Sequence, residues 1–135
     1  MIRLDRRSAI TGSMATLAAL TVPSSLLAAA GRPGLFIYDS RMPGAETLAA
    51  GLQARSVPVL DRMTVDLGHA WRGEIADRLR GGMGYVSGLT LWMDSYICET
   101  FGRDHGMAIQ RQATVSAAAP WQQWELQMTG AAQIG

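Results

Sequence analysis

Three short polar clusters stand where apolar runs end, and each carries residue types that grip anions. The first is Asp39-Ser40-Arg41, after the run "GLFIY"; the second is Asp61-Arg62, after "VPVL"; the third is Ser87-Gly88 with Thr90, in "GYVSGLT". An arginine fork matches the paired oxygens of a carboxylate or phosphate. Free amides at the start of a helix after Thr90 favour the same anion. Asp39, Ser40, Arg41 and Thr90 are therefore the candidate ligand-binding residues. A structural role competes at each of them: Asp39 accepting from loop amides, and Thr90 capping a helix.

Other reactive residues support less. Asp61, Asp66 and His69 supply oxygen and imidazole donors, but at no recognised ligand spacing and with no evident fourth ligand, so no metal site is expected. The glycine-rich "GGMG" (81–84) closes a helix and enters a strand, whereas phosphate loops follow a strand and open a helix. On a helix, Asp94, Cys98, Phe101 and His105 share one face. Cys98 and His105 are then about 10 Å apart along the axis, too far for a thiolate–imidazole pair. Cys98 reads as a small buried apolar side chain. No catalytic residue and no cofactor is assigned.

The elements that must position these residues follow from periodicity. "GLFIYDSR" (34–41) reads as a buried strand. Pro43 suits a first helical turn, and Ala45, Leu48, Ala49 and Leu52 form an apolar stripe up to Arg55. "VPVLD" (57–61) is a second strand, and "RMTVDLGHA" is a loop. Trp71, Ile75 and Leu79 share a helical face, with Glu74 four residues before Arg78. Gly81 and Gly82 stop that helix, "GYVSG" (84–88) is a third strand, and a helix runs from a Thr90 cap to about Arg103. Residues 107–115 and 124–129 alternate apolar and polar, so each is expected to keep one wet face. Trp71 and Trp92 fit helix faces turned toward the sheet. Trp121 and Trp124 are expected to pack on a neighbouring strand, with an exposed protein or flat-ligand contact as the alternative.

The order β-α-β-α-β-α-β-β argues for an α/β domain with right-handed crossovers and a largely parallel sheet. By analogy of element order it is a three-layer, flavodoxin-like arrangement with a C-terminal antiparallel edge.

What precedes this domain has a different composition. Arg3, Arg6 and Arg7 stand before "SAITGSMATLAALTVPSSLLAAA", which ends on Ala28-Ala29-Ala30. A cationic start, a mildly apolar run and small residues at the end make an export signal, with cleavage expected after Ala30 and small side chains at Ala28 and Ala30. The paired arginines resemble the bacterial twin-arginine (Tat) pattern: Arg6 and Arg7 match, and Ile10 matches as an aliphatic. Asp5, Ala9 and Thr11 depart from the strict motif, which leaves ordinary Sec export as the alternative. The resemblance covers residues 1–30 alone. It implies passage through the Tat translocase in a folded state, and a co-exported partner or cofactor. The Gly, Ser, Thr and Pro content of the run makes it a poor retained anchor.

Residues 31–135 would then be one small periplasmic domain able to bury its own core. Losing Arg3, Arg6, Arg7 and Asp5 turns twelve cations against eleven acids into nine against ten. A nucleic-acid partner thus has no electrostatic support. One cysteine leaves no internal disulfide, so stability rests on packing. Two functions of different classes fit. One is a non-catalytic binding or accessory protein for a redox enzyme or small ligand. The other is a small enzyme for an anionic substrate, with Arg41 as clamp and Asp39 or His105 as acid–base.

Overall fold

The computed structural model of the chain describes residues 34–116 and 119–129. Arg6, Arg7, Ala28 and Ala30 lie outside them. The architecture is α/β. Strand β1 (Gly34–Tyr38) leads to helix α1 (Ala45–Ala54), strand β2 (Val59–Asp61) and a 3-10 turn (Arg62–Thr64). Helix α2 follows as Leu67–Ala70, a π-helical turn over Trp71–Ile75, and Ala76–Arg80. Strand β3 (Tyr85–Leu91) runs directly into helix α3 (Trp92–Asp104), and strands β4 (Met107–Ser116) and β5 (Ala119–Met128) close the order.

The five strands form one mixed sheet in the order β2-β1-β3-β5-β4. Parallel pairing is confined to β2–β1–β3, whereas β5 is antiparallel to both β3 and β4. The antiparallel C-terminal pair expected from sequence is present, and it takes a full half of the sheet because β5 inserts between β3 and β4.

Alternation along β1 divides the core. Leu35 and Ile37 join Val86, Trp124 and Leu126 in a cluster packed with Trp71 and Ile75 of α2 and Cys98 of α3. Phe36 belongs to a second cluster with Ala49 and Leu52 of α1. Successive strand side chains point to opposite faces, so one apolar run serves both. Burying each such large side chain contributes about 1.5–3 kcal/mol.

Several local expectations are corrected. Helix α1 starts at Ala45 behind a left-handed Gly44 (φ 84°), so Pro43 precedes the cap. The expected loop before α2 holds the 3-10 turn and the start of α2: Asp61 and Asp66 each accept from a helical amide, Met63 N at 3.0 Å and His69 N at 2.8 Å. Strand β3 extends through Leu91, which is itself the cap position of α3 and makes no side-chain cap bond. Thr90 therefore does not cap that helix. Strand β5 does not keep a wet face: Gln123, Trp124, Glu125 and Leu126 are consecutive and all buried. Its central position, with Ser87 and Arg111 registered on either side of Glu125, removes the exposure that alternation alone implied.

Candidate functional site

The carboxyl ends of β1, β2 and β3 and the first turn of α3 come together around an ionic cluster. Asp39 follows β1 and is fully buried, its amide donating to Leu89 O at 3.1 Å. Its two oxygens are both taken by Arg41: Nε to Oδ1 at 3.0 Å and Nη2 to Oδ2 at 2.7 Å, with the Arg41 amide on Oδ1 at 2.9 Å. These hydrogen bonds hold the Asp39 carboxyl below the usual carboxylate range, against the opposing cost of its burial. The same bonds raise the Arg41 guanidinium.

The second cluster joins the first through the backbone. Asp61, ending β2, accepts from the Ser40 amide at 3.2 Å as well as from Met63. Arg62 reaches across to α3, where its Nε donates to the buried Asp94 at 2.9 Å. Structure thus brings Asp39, Ser40 and Arg41 together with Asp61, Arg62 and Asp94. Thr90 follows Leu89, the residue registered against Tyr38, and so stands beside Asp39, but its side chain is engaged in the core. That hydroxyl is fully buried, donates to Leu91 O at 3.0 Å and accepts from the Trp124 indole at 3.0 Å.

Two clefts on the described residues are lined by other residues than those of this cluster. One of about 470 Å³ is lined by Gly34, Ser56, Pro58, Arg78 and Met83, at the opposite ends of the strands. A water-sized one lies against α1, lined by Leu52, Val57, Tyr85 and Ser87. Arg41 lines neither.

Cys98 is fully buried under the indole N–H of Trp71, at 3.4 Å. Burial pushes its thiol up to about 12, so it stays protonated and unreactive at neutral pH. His105 Nδ1 sits 3.0 Å from Phe101 O, and its ring tilts against Trp71 at 5.9 Å. Neither residue is placed as a nucleophile–base pair. Among the described residues, no group of three or more His, Cys, Asp or Glu is arranged to hold a metal. No described helix is long and apolar enough to cross a membrane.

Sequence reasoning missed an exposed apolar group. Trp92, Met93 and Tyr96 on α3 and Met63 on the 3-10 turn are each about half exposed (45–56%). Trp92, expected to face the sheet, instead stacks on Tyr96 with ring centroids 5.8 Å apart. Arg62–Asp94 ties together the two elements that present these side chains. The sequence did hold a signal: Trp92, Met93 and Tyr96 lie on the helix surface opposite Cys98 and Gly102. A buried carboxylate was also missed. Glu125 Oε2 has no hydrogen-bond partner among the described residues, and Arg111 stands 3.7 Å away.

Compared with known proteins, the chain matches no family model, no curated protein and no solved structure. The functional reading therefore rests on residues alone. The described geometry offers two kinds of surface at this edge: a cluster whose charges already satisfy one another, and beside it large side chains that lack cover. Charges locked in mutual bonds position the backbone. Exposed Trp, Tyr and Met are the types enriched where proteins meet.

Proposed function

We infer that this chain is an exported, non-catalytic binding or accessory protein whose contact surface is the carboxyl edge of the sheet. The observation that carries this reading is the exposure of Met63, Trp92, Met93 and Tyr96 on the 3-10 turn and helix α3, the two elements that the Arg62–Asp94 pair joins. Such side chains gain most when a partner removes them from water. The rival reading, an enzyme clamping an anion through Arg41, is less favoured, because Asp39 already occupies the Nε–Nη2 side of that guanidinium and leaves only its outer donors for a ligand.

In this proposal residues 1–30 are a Tat leader led by Arg6 and Arg7 and cut after Ala30. The folded domain crosses the Tat translocase, remains in the periplasm without an anchor, and serves a co-exported redox enzyme or small ligand there. We also take the sheet with its helices as a three-layer, flavodoxin-like arrangement; the two core clusters, one with α1 and the other with α2 and α3, support that reading.

The test is affinity capture from periplasm with tagged protein, followed by mass spectrometry. We expect a mature chain beginning at Gly31, a specific partner or ligand, and loss of at least nine-tenths of the capture in a Met63→Asp, Met93→Asp double variant. Substituting both Arg6 and Arg7 by Lys should hold the precursor in the cytoplasm. A chain that keeps Met1 and stays cytosolic, or capture indifferent to Met63 and Met93, overturns the proposal.

A further inference from the structure

Strand β4 forms the outer edge of the antiparallel half, and residues 110–115 are all exposed. Edge strands are ordinarily blunted by prolines, lysines, inward charges or bulges. The stretch 107–116 has no proline, no lysine and a single charge, Arg111. Its bulges fall between Ile109 and Arg111 and between Thr114 and Ser116, so Arg111 to Thr114 remain regular between them. Among the described residues no strand pairs with the outer side of that regular stretch, which offers a ladder of main-chain donors and acceptors.

Helix α3 adds side chains beside it. Ser95 Oγ accepts from Gln112 Nε2 of β4 at 3.2 Å, so this flank of the helix faces the β4 edge. The opposite flank faces α2, where Phe101 stacks on Trp71. Trp92 lies three residues before Ser95, on the β4 flank, and Tyr96 stacks on it. Met93 falls on the other side, next to Asp94 and its Arg62 partner.

The geometry points to a second copy of this chain as the occupant of the β4 edge, paired antiparallel about a two-fold axis through Ala113. Antiparallel pairing of one edge with itself is self-complementary, as an isologous interface requires. With Ala113 on the axis, each Gln112 faces the other copy's Thr114, while Arg111 lies toward the bulge at Val115, away from the other copy's Arg111. No like charges meet. The Gln112–Thr114 pair repeats one already present within the sheet, where Gln122 Nε2 donates to Thr114 Oγ1 at 3.0 Å. Gln112 has spent its amide on Ser95 and keeps its carbonyl oxygen for the incoming threonine hydroxyl. The axis stands perpendicular to the sheet, so both α3 helices lie on one face. The stacked Trp92–Tyr96 pairs of the two copies then flank the seam. The dimer shares Trp92 and Tyr96 with the partner surface described above but leaves Met63 and Met93 uncovered, so variants at those two methionines distinguish failure of one from failure of the other.

Sedimentation velocity of the full chain over a dilution series tests the assignment. The expected result is a species of twice the chain mass that dissociates on dilution. Ala113→Asp, which sets two carboxylates on the axis, should weaken it at least tenfold, whereas Ala113→Ser should leave it unchanged. Ala113 is exposed, so unaltered circular dichroism of both variants will show that the fold survives. Ala113→Cys should form a disulfide-linked dimer under mild copper-catalysed oxidation, since opposed antiparallel residues stand about 4.5–5.5 Å apart at Cα, within disulfide reach. Cys98 is buried and will not compete. A monomer at every concentration with no cross-link in Ala113→Cys, or a dimer equally tight in Ala113→Asp, overturns the inference. Met63→Asp with Met93→Asp should leave the dimer intact; loss of dimerisation there would also overturn it.

Discussion

The two halves of the sheet solve different problems. In the parallel half, β1 and β3 are buried on both faces; β1 is a continuous apolar run, and β3 carries only the small hydroxyls of Ser87 and Thr90 among its polar side chains. Charged groups are pushed to the ends, where Asp39, Asp61 and Asp94 pair with Arg41 and Arg62 or hold backbone amides. In the antiparallel half the polar groups lie within the strands themselves: Gln123 and Glu125 are buried on β5, while β4 is exposed along most of its length. Sheet position explains this. A strand with neighbours on both sides and covered faces must be apolar or internally satisfied, while an edge strand keeps water as a partner.

The seam between the halves should be the most sensitive place. Gly88 of β3 is registered against Trp124 of β5, and a Cβ built on Gly88 would overlap the indole ring. Gly88→Ala must displace a fully buried tryptophan and break its bond to Thr90. We expect a loss of about 3–5 kcal/mol, the range for removing a large buried aromatic. Equilibrium denaturation in urea measures it, and a loss below about 1 kcal/mol would mean that the two halves do not depend on this contact.

A smaller effect is expected at the ionic end of the parallel half. Asp39→Asn should cost about 1.5–3 kcal/mol, the range for hydrogen bonds to a charged group. It should also alter the pH dependence. The folded Asp39 is held below its ordinary value, mainly by the Arg41 hydrogen bonds, so its contribution is present above the unfolded pKa of about 4 and is lost as pH falls through the lower folded value. Denaturation midpoints measured from about pH 6 down to about pH 2 should therefore fall less in Asp39→Asn than in the parent. An identical acid limb in both would remove Asp39 from the account.

The smallest effect belongs to the open edge. Gln110→Ala on β4 touches an exposed side chain and should change stability by no more than about 0.5 kcal/mol. A larger loss in the same urea titration would show that the edge is supported in ways its exposure does not suggest.

Much of the fold was legible because burial imposes periodicity. The run from Gly34 to Tyr38 could only be a covered strand, and Ala45, Ala49 and Leu52 kept the helical stripe that packs on it. Gly81 and Gly82 stopped α2, with Gly82 at φ 110°. Asp39, Ser40, Arg41, Asp61 and Arg62 were legible as a group because strand ends in an α/β sheet converge. The partners within that group were not. Asp39 and Arg41, two residues apart, satisfy each other across a turn, and Arg62 joins Asp94 from 32 residues away. Spacing along a chain does not encode which charge a side chain will meet.

Local sequence thus determined which segments are helix or strand and where polar groups gather, since both follow from near-neighbour sterics and the need to hide apolar surface. Tertiary structure alone decided the order β2-β1-β3-β5-β4, the enclosure of Glu125 and Trp124, and the exposure of Trp92. Those outcomes depend on what lies beside each strand and over each helix. Burial is a property of neighbours brought from far along the chain, and a residue's own type only biases it.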